Sequence, residues 1–159
     1  MKVLKKILKA LLILVIVLLI LVGGLLTWLT IVEYKPEDTE VVPVQTVGGQ
    51  AKSLAAGDSV KFVAWNIGYG ALGDNADFFM DGGKMVYTGD EARVRANMDN
   101  IVSEIKAQDP DILLLQEIDL DSSRSRHVNE TLYFDGLGFN NMAFANNFRV
   151  EFFPIPVPP

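Results

Sequence analysis

The sequence predicts an α/β domain preceded by a single transmembrane helix, on three observations. A long apolar run occupies residues 10–32. Two short runs rich in β-forming residues, at 59–66 and 112–117, each end in polar side chains. Between them, residues 90–108 carry apolar side chains at helical spacing. A strand, a helix and a second strand in this order indicate a layered α/β fold.

The apolar run reads ALLILVIVLLILVGGLLTWLTIV and contains no charged side chain. About 20 apolar residues suffice to cross a bilayer as a helix. The basic segment 1–9 carries four lysines and should stay cytoplasmic, so we predict a single-pass cell-membrane protein whose domain is extracytoplasmic. A cleaved secretory signal is the alternative, but the run exceeds the usual length of a signal and lacks an A-x-A-like site after it. Both alternatives place the domain outside the cytoplasm.

Charge and cysteine content limit the classes of function. The segment from residue 33 onward contains 10 of the 14 Lys and Arg residues and all 20 Asp and Glu residues of the chain. Its formal net charge is therefore −10. Such a surface repels polyanions and argues against a general nucleic-acid-binding module, which would show a basic patch. Carboxylates attract divalent cations, so a metal-dependent site is compatible with this charge. With no cysteine, an exported domain must rely on its core or on a bound metal for stability.

Residues 33–58 mix proline, glycine and charge without periodicity, and they indicate an extracytoplasmic linker with a short strand near 40–46. The domain, predicted over 59–159, opens with the strand 59–66. A glycine-rich segment, 67–89, has the character of a long loop, and long loops inside compact domains are often functional.

The segment 90–108 is predicted to form the main helix of the domain. Its apolar face consists of Val94, Met98, Ile101, Val102 and Ile105. An acidic start favours the helix N-terminus, and the Asp-Pro pair after residue 108 ends it. The strand 112–117 follows without alternation, a pattern typical of burial on both faces.

Three further elements are predicted beyond the second strand. Residues 127–137 suggest a short helix, and residues 140–150 suggest another strand. The end of the sequence, EFFPIPVPP, is too rich in proline to be a central strand.

Asn66 and Glu117 are the polar residues that end the two core strands. Ligands of layered α/β proteins collect at the carboxyl ends of strands. A partly buried carboxylate there is stabilised by a cation, and Mg²⁺ needs only one or two carboxylates besides water and substrate phosphate. The plainer alternative is that Glu117 is the first solvated residue after the core and that Asn66 begins a turn.

The segments VKFVAWNIGYG and DPDILLLQEIDLDSSRS, with the helix between them, resemble the opening of the endonuclease/exonuclease/phosphatase superfamily. The resemblance implies a four-layer α/β sandwich, two mixed sheets flanked by helices, of which this chain is the N-terminal part. It implies an active-site role for Asn66 and Mg²⁺ ligation by Glu117, with Mn²⁺ as an alternative ion. The implied reaction is metal-assisted phosphoester hydrolysis.

The family also uses a later Asp-x-Asn pair and a Ser-Asp-His element, and neither occurs in the 159 residues. We therefore expect this chain to be incomplete and inactive by itself, with diesterase and monoesterase activity both open for the full-length enzyme. The single histidine, His127, is expected at the surface. The membrane tether and the acidic surface favour a small phosphoester or a lipid head group over duplex DNA. The alternative is a non-catalytic, membrane-anchored binding or structural domain.

Arg124 lies in the charged loop that follows Glu117. Its planar guanidinium suits phosphate oxygens, so it is a candidate substrate-binding residue. The alternative for this loop is an ordinary solvated charged segment.

Overall fold

The computed structural model describes residues 2–79, 82–87 and 89–150. The chain divides into two compact units. The first consists of Met1–Val42 and Ala145–Pro154, and the second of Pro43–Phe144 and Ile155–Pro159. The prediction for residues 151–159 lies outside the described residues.

The first unit contains helix α1, Lys2–Val32, which is 31 residues long and has no buried residue. It is long and apolar enough to cross a membrane. At 1.5 Å per residue its uncharged part, 10–32, extends about 34 Å, close to the thickness of a bilayer core. The hydroxyl groups of Thr27 and Thr30 donate to the carbonyl oxygens of Gly23 and Leu26, each at 2.8 Å. These polar groups are therefore satisfied within the helix, as an apolar surrounding requires.

The second unit is built around a strand–helix–strand motif. Strand β2 (Phe62–Asn66) pairs in parallel with β3 (Ile112–Gln116), and helix α2 (Glu91–Gln108) connects them. The register sets Phe62 opposite Ile112 and Asn66 opposite Gln116. Two strands that run in the same direction require such a crossover, because a tight turn can only reverse the chain. The predicted α/β fold and its three central elements are confirmed.

Both ends of α2 are fixed by aspartates. Asp90 is the N-cap, and its carboxylate accepts a hydrogen bond from the backbone N–H of Arg93 at 2.8 Å. At the other end Asp109 adopts a left-handed conformation with φ 45°, and its N–H bonds to the carbonyl oxygens of Ile105 and Lys106. The proline at 110 disfavours a further helical residue at 109, as the sequence predicted.

The apolar face of α2 packs against one face of the β2–β3 sheet and forms the core. Met98 and Ile105 are fully buried there, and Ile67 and Ile101 are buried beside them. The inward side chains of β3, Leu113 and Leu115, complete this cluster. A second cluster joins Val94 to Ala71 and Val128. The burial of Val94, Met98, Ile101 and Ile105 confirms four of the five residues of the predicted face, and the fifth, Val102, is half-buried.

The opposite face of the sheet is exposed, so the prediction that β3 is buried on both faces is wrong. Phe62, Ile112 and Leu114 retain 58%, 37% and 49% exposure. The β2–β3 sheet has two strands among the described residues, and α2 covers one side of it. The continuous apolar sequence therefore supplies both an inward set and an outward set of side chains.

The remaining elements are short. Strand β1 (Val44–Thr46) pairs antiparallel with β4 (Asn141–Ala143). A 3₁₀ helix, Glu130–Phe134, stands where a helix over 127–137 was predicted. The predicted strands at 40–46 and 140–150 therefore exist over shorter ranges.

We predict that Met98→Ala lowers the free energy of unfolding by about 3 kcal/mol, because it removes a fully buried side chain and leaves a cavity. The matched control is Leu132→Ala, since Leu132 is 62% exposed and its truncation should change stability by less than about 0.5 kcal/mol. Denaturant titration of the detergent-solubilised chain measures both values. Equal losses for the two variants would contradict the assignment of the core.

Candidate functional site

The parallel pairing of β2 and β3 brings the two predicted site residues to one edge of the sheet. Asn66 is the last residue of β2 and lies opposite Gln116, so Glu117 is the first residue beyond the pair. Two hydrogen bonds continue the contact past the strands. The N–H of Ile67 donates to the Gln116 carbonyl oxygen at 3.1 Å, and that of Tyr69 donates to the Glu117 carbonyl oxygen at 2.8 Å.

Asn66 is exposed, and its side-chain oxygen is committed to the local turn. The Oδ1 atom accepts a hydrogen bond from the N–H of Gly68 at 3.0 Å. Its amide nitrogen makes no hydrogen bond to another described residue, so the Asn66 side chain can offer a donor to a bound group. The turn-forming role that the sequence left open is therefore real, and the active-site role stays a prediction.

The turn after β2 has an uncommon backbone. Gly68, Tyr69 and Gly70 all have positive φ, at 58°, 57° and 57°. Left-handed conformations are unstrained for glycine but costly for an aromatic residue. Glu117 also has φ 57°, so two strained side-chain-bearing residues are hydrogen-bonded to each other at this edge. Backbone strain of this kind persists where the surrounding structure fixes it, and it clusters at functional sites.

Arg124 reaches this edge from the loop after β3. Its guanidinium lies 3.3 Å from the centroid of the Tyr69 ring. The Nε and Nη2 atoms donate to the two carboxylate oxygens of Asp119 at 2.9 and 2.8 Å. Two of the three nitrogen atoms of the guanidinium are therefore bound to Asp119. Asp119 and Ser125 are buried, so the solvated-loop interpretation is wrong for this part of the segment.

Tyr69 is half-buried under the Arg124 guanidinium. Burial raises the pKa of its phenol, and the nearby carboxylates of Glu117 and Asp119 add to this effect while Arg124 opposes it. The hydroxyl group therefore stays protonated and remains a hydrogen-bond donor at neutral pH.

Glu130 is a fully buried acid behind the loop. Its Oε2 atom accepts the N–H of Asp119 at 2.9 Å, and its own N–H donates to the Asp119 carbonyl oxygen at 3.0 Å. Burial raises the pKa of Glu130 to about 7. The hydrogen bond from Asp119 lowers the pKa, the Asp119 charge raises it and Arg124 lowers it, but burial is the largest influence.

The donor set at the strand ends suits one kind of metal ion. Among residues 2–79, 82–87 and 89–150, no three acidic, histidine or cysteine side chains gather as a ready ligand cluster. A Zn²⁺ site would need three or four such ligands. Mg²⁺ is held by one or two carboxylates and keeps several waters. Half-buried Glu117 beside exposed Asn66 and Gln116 therefore fits Mg²⁺.

Sequence reasoning missed three residues around this edge, namely Tyr69, Asp119 and Glu130. For Tyr69 the flanking glycines were a usable signal, because Gly-x-Gly permits a left-handed turn. Nothing in the local sequence separates the buried Asp119 from the exposed Asp121. His127 is exposed, as predicted, with its Nδ1 atom 2.5 Å from an Asp121 oxygen.

Comparison with protein families gives one match. The model of the Endonuclease/Exonuclease/phosphatase family matches residues 63–158. No curated protein and no solved structure matches the chain. The matched range begins within β2 and includes both strand ends, α2 and the loop that carries Arg124.

We predict that the Glu130 carboxyl makes stability fall as pH rises from about 4.5 to about 7. The pKa is about 4.5 when unfolded and about 7 when folded, so the stabilising contribution is complete below pH 4.5 and is lost as pH rises through 7. The fall should be about 3 kcal/mol, at about 1.4 kcal/mol per pKa unit.

The matched variant is Glu130→Gln, which cannot titrate. Chemical denaturation at several pH values should show a smaller pH dependence in this variant, with the other nearby charges, Asp119 and Arg124, unchanged. Parallel curves for the variant and the wild type would contradict the prediction.

Proposed function

Because the chain belongs to the endonuclease/exonuclease/phosphatase family, a family of phosphoesterase- and nuclease-type hydrolases, we propose that it is a metal-dependent phosphoester hydrolase anchored in a membrane. The observation that carries the proposal is the parallel register of β2 and β3. It sets Asn66 opposite Gln116, so that Asn66 and the next residue of the other strand, Glu117, belong to the same carboxyl edge of the sheet.

Each site residue has a distinct role in this proposal. Glu117 would hold Mg²⁺, or Mn²⁺ as the alternative, and when bound the ion would supply Lewis-acid stabilisation of charge on the phosphoryl group. The free amide nitrogen of Asn66 would donate to a phosphate oxygen and orient it. Arg124, held in place by Asp119 and Tyr69, would offer Nη1 to a second oxygen.

The substrate we propose is a small phosphoester or a lipid head group. From residue 33 onward acidic residues outnumber basic ones two to one, which disfavours a long polyanion such as duplex DNA. Anchoring through residues 10–32, with the N-terminus in the cytoplasm, would keep the domain outside and near the membrane surface. A head group would then be available at high local concentration.

A non-catalytic binding or structural domain is the competing function. The 159 residues contain neither an Asp-x-Asn pair nor a Ser-Asp-His sequence. We therefore propose that this chain alone binds the metal but turns over substrate poorly. Metal binding is accordingly the direct test for the chain, and hydrolysis of generic phosphodiesters and phosphomonoesters is a second measurement.

We predict that Glu117→Ala weakens Mg²⁺ binding by about tenfold or more, because it removes the carboxylate proposed as ligand. Isothermal titration calorimetry of the detergent-solubilised chain with MgCl₂ and MnCl₂ measures the affinity. Glu104→Ala is the matched control, since Glu104 is an exposed glutamate on α2 and its loss should leave the affinity unchanged. Unchanged affinity in Glu117→Ala would remove this residue from the site, and absence of uptake by the wild type would favour the non-catalytic function.

We predict that replacing Leu14, Leu18 and Leu21 with lysine releases the chain from membranes. Each lysine near the centre of a membrane span costs about 3 kcal/mol. Carbonate extraction of membranes from expressing cells measures retention, and the triple alanine variant is the control that should stay membrane-bound. Intact-mass measurement of the bound wild-type chain distinguishes an uncleaved anchor from a cleaved signal, because cleavage would remove most of α1.

A further inference from the structure

Glu130 is a buried acid that is neither part of the apolar core nor one of the residues of the proposed metal site. Its side chain has no exposed surface, and its Oε1 atom has no hydrogen-bond partner among the described residues. A carboxyl group in such a place is costly compared with an apolar side chain of similar size. A buried polar group that is only partly satisfied calls for an explanation, and a role at a site is one.

The nearer contacts of Glu130 fix the start of the loop after β3. Its backbone and side chain make two reciprocal hydrogen bonds with the backbone of Asp119, at 3.0 and 2.9 Å. Asp119 lies two residues beyond Glu117, so this double contact limits the movement of the chain just past the strand end. The side chain of Asp119 is left free to bind another group.

That group is Arg124, and it extends the contact to the opposite strand. Both carboxylate oxygens of Asp119 accept hydrogen bonds from Arg124, and the guanidinium then lies on the Tyr69 ring. The N–H of Tyr69 in turn donates to the carbonyl oxygen of Glu117. A continuous series of contacts therefore connects Glu130, through Asp119, Arg124 and Tyr69, to the proposed metal ligand Glu117.

Glu130 also lies directly behind the strained turn. A Cβ atom placed on Gly70 would come within 3.3 Å of Glu130 Oε1 and 2.9 Å of Met98 Sδ. The turn that carries Tyr69 therefore leaves little space between Gly70 and Glu130, and the Arg124 guanidinium covers the Tyr69 ring. Glu130 therefore lies close to both halves of the edge, the turn after β2 and the loop after β3.

We propose that Glu130 is a positioning residue that holds Glu117 in its metal-binding conformation by fixing Asp119 and supporting the turn at Gly70. The inference rests on the proposed function for the identity of the metal ligand. Its structural part, the control of the Tyr69–Glu117 contact, can be measured without metal. Positioning through hydrogen-bonded partners of this kind typically changes metal affinity by about 10- to 100-fold.

The test compares three variants of the detergent-solubilised full chain. Glu130→Leu keeps the size but removes the acceptor for the Asp119 N–H. Glu130→Gln keeps the acceptor and the shape. Ile105→Ala removes packing from the core without touching this set of contacts, and it controls for a general loss of stability. Mg²⁺ affinity and the hydrogen-exchange rate of the Tyr69 amide are measured for each variant and for the wild type.

We expect Glu130→Leu to weaken Mg²⁺ binding by about tenfold or more and to accelerate exchange of the Tyr69 amide. Glu130→Gln should stay close to the wild type in both measurements, and Ile105→Ala should keep the wild-type metal affinity. Equal effects in Glu130→Leu and Ile105→Ala, or no effect in Glu130→Leu, would overturn the proposal.

Two further outcomes separate this inference from the proposed function. If the wild type takes up no metal, the proposed function fails, and the exchange rate of the Tyr69 amide still decides whether Glu130 controls the edge. If Glu130→Leu does not fold, Arg124→Met at a half-buried position replaces it in the test, because it removes the contact between Asp119 and Tyr69. This variant should also weaken Mg²⁺ binding and accelerate exchange of the Tyr69 amide. A folded Arg124→Met chain with wild-type exchange and affinity would overturn the proposal.

Discussion

The parallel pairing of β2 with β3 is the interaction on which the rest of the domain depends. Its register places Asn66 opposite Gln116, and a shift by one residue would send every side chain to the other face of the sheet. In this register Leu113 and Leu115 are the side chains of β3 that pack against the core cluster of α2. The core and the candidate site are thus two consequences of the same pairing.

Several features at the carboxyl edge of the β2–β3 sheet lower the stability of the domain. Left-handed backbone at Tyr69 and Glu117 and a buried acid at Glu130 each cost free energy that a purely structural edge would avoid. The bidentate contact between Asp119 and Arg124 offsets part of this cost. Left-handed backbone also occurs at Asp109, Arg126 and His127, but Tyr69 and Glu117 are the two such residues that a backbone hydrogen bond joins across the strand ends.

The sequence was sufficient for the parts of the fold that repeat a local pattern. The periodic apolar face of α2, its acidic start and its end before Pro110 follow from neighbouring residues, and the structure contains all three. Burial was less predictable, because the run 112–115 has the same composition whether a second layer covers it or not. The outward exposure of Ile112 and Leu114 depends on which other segments reach that face, and no local signal carries this information.

The same distinction applies to the site. Asn66 and Glu117 could be predicted, since a polar residue that ends an apolar strand is visible in sequence, whereas Glu130 could not, because a glutamate in a polar stretch usually faces solvent. The structure also separates the two acidic residues that follow β3. Asp119 accepts two hydrogen bonds from Arg124, and Glu117 accepts none from it. The Arg124 guanidinium is therefore committed to the buried carboxylate of Asp119, whereas Glu117 interacts with Tyr69, through the backbone hydrogen bond and through the nearby phenol. The two acidic residues that follow β3 thus have different surroundings, and only the contacts made after folding distinguish them.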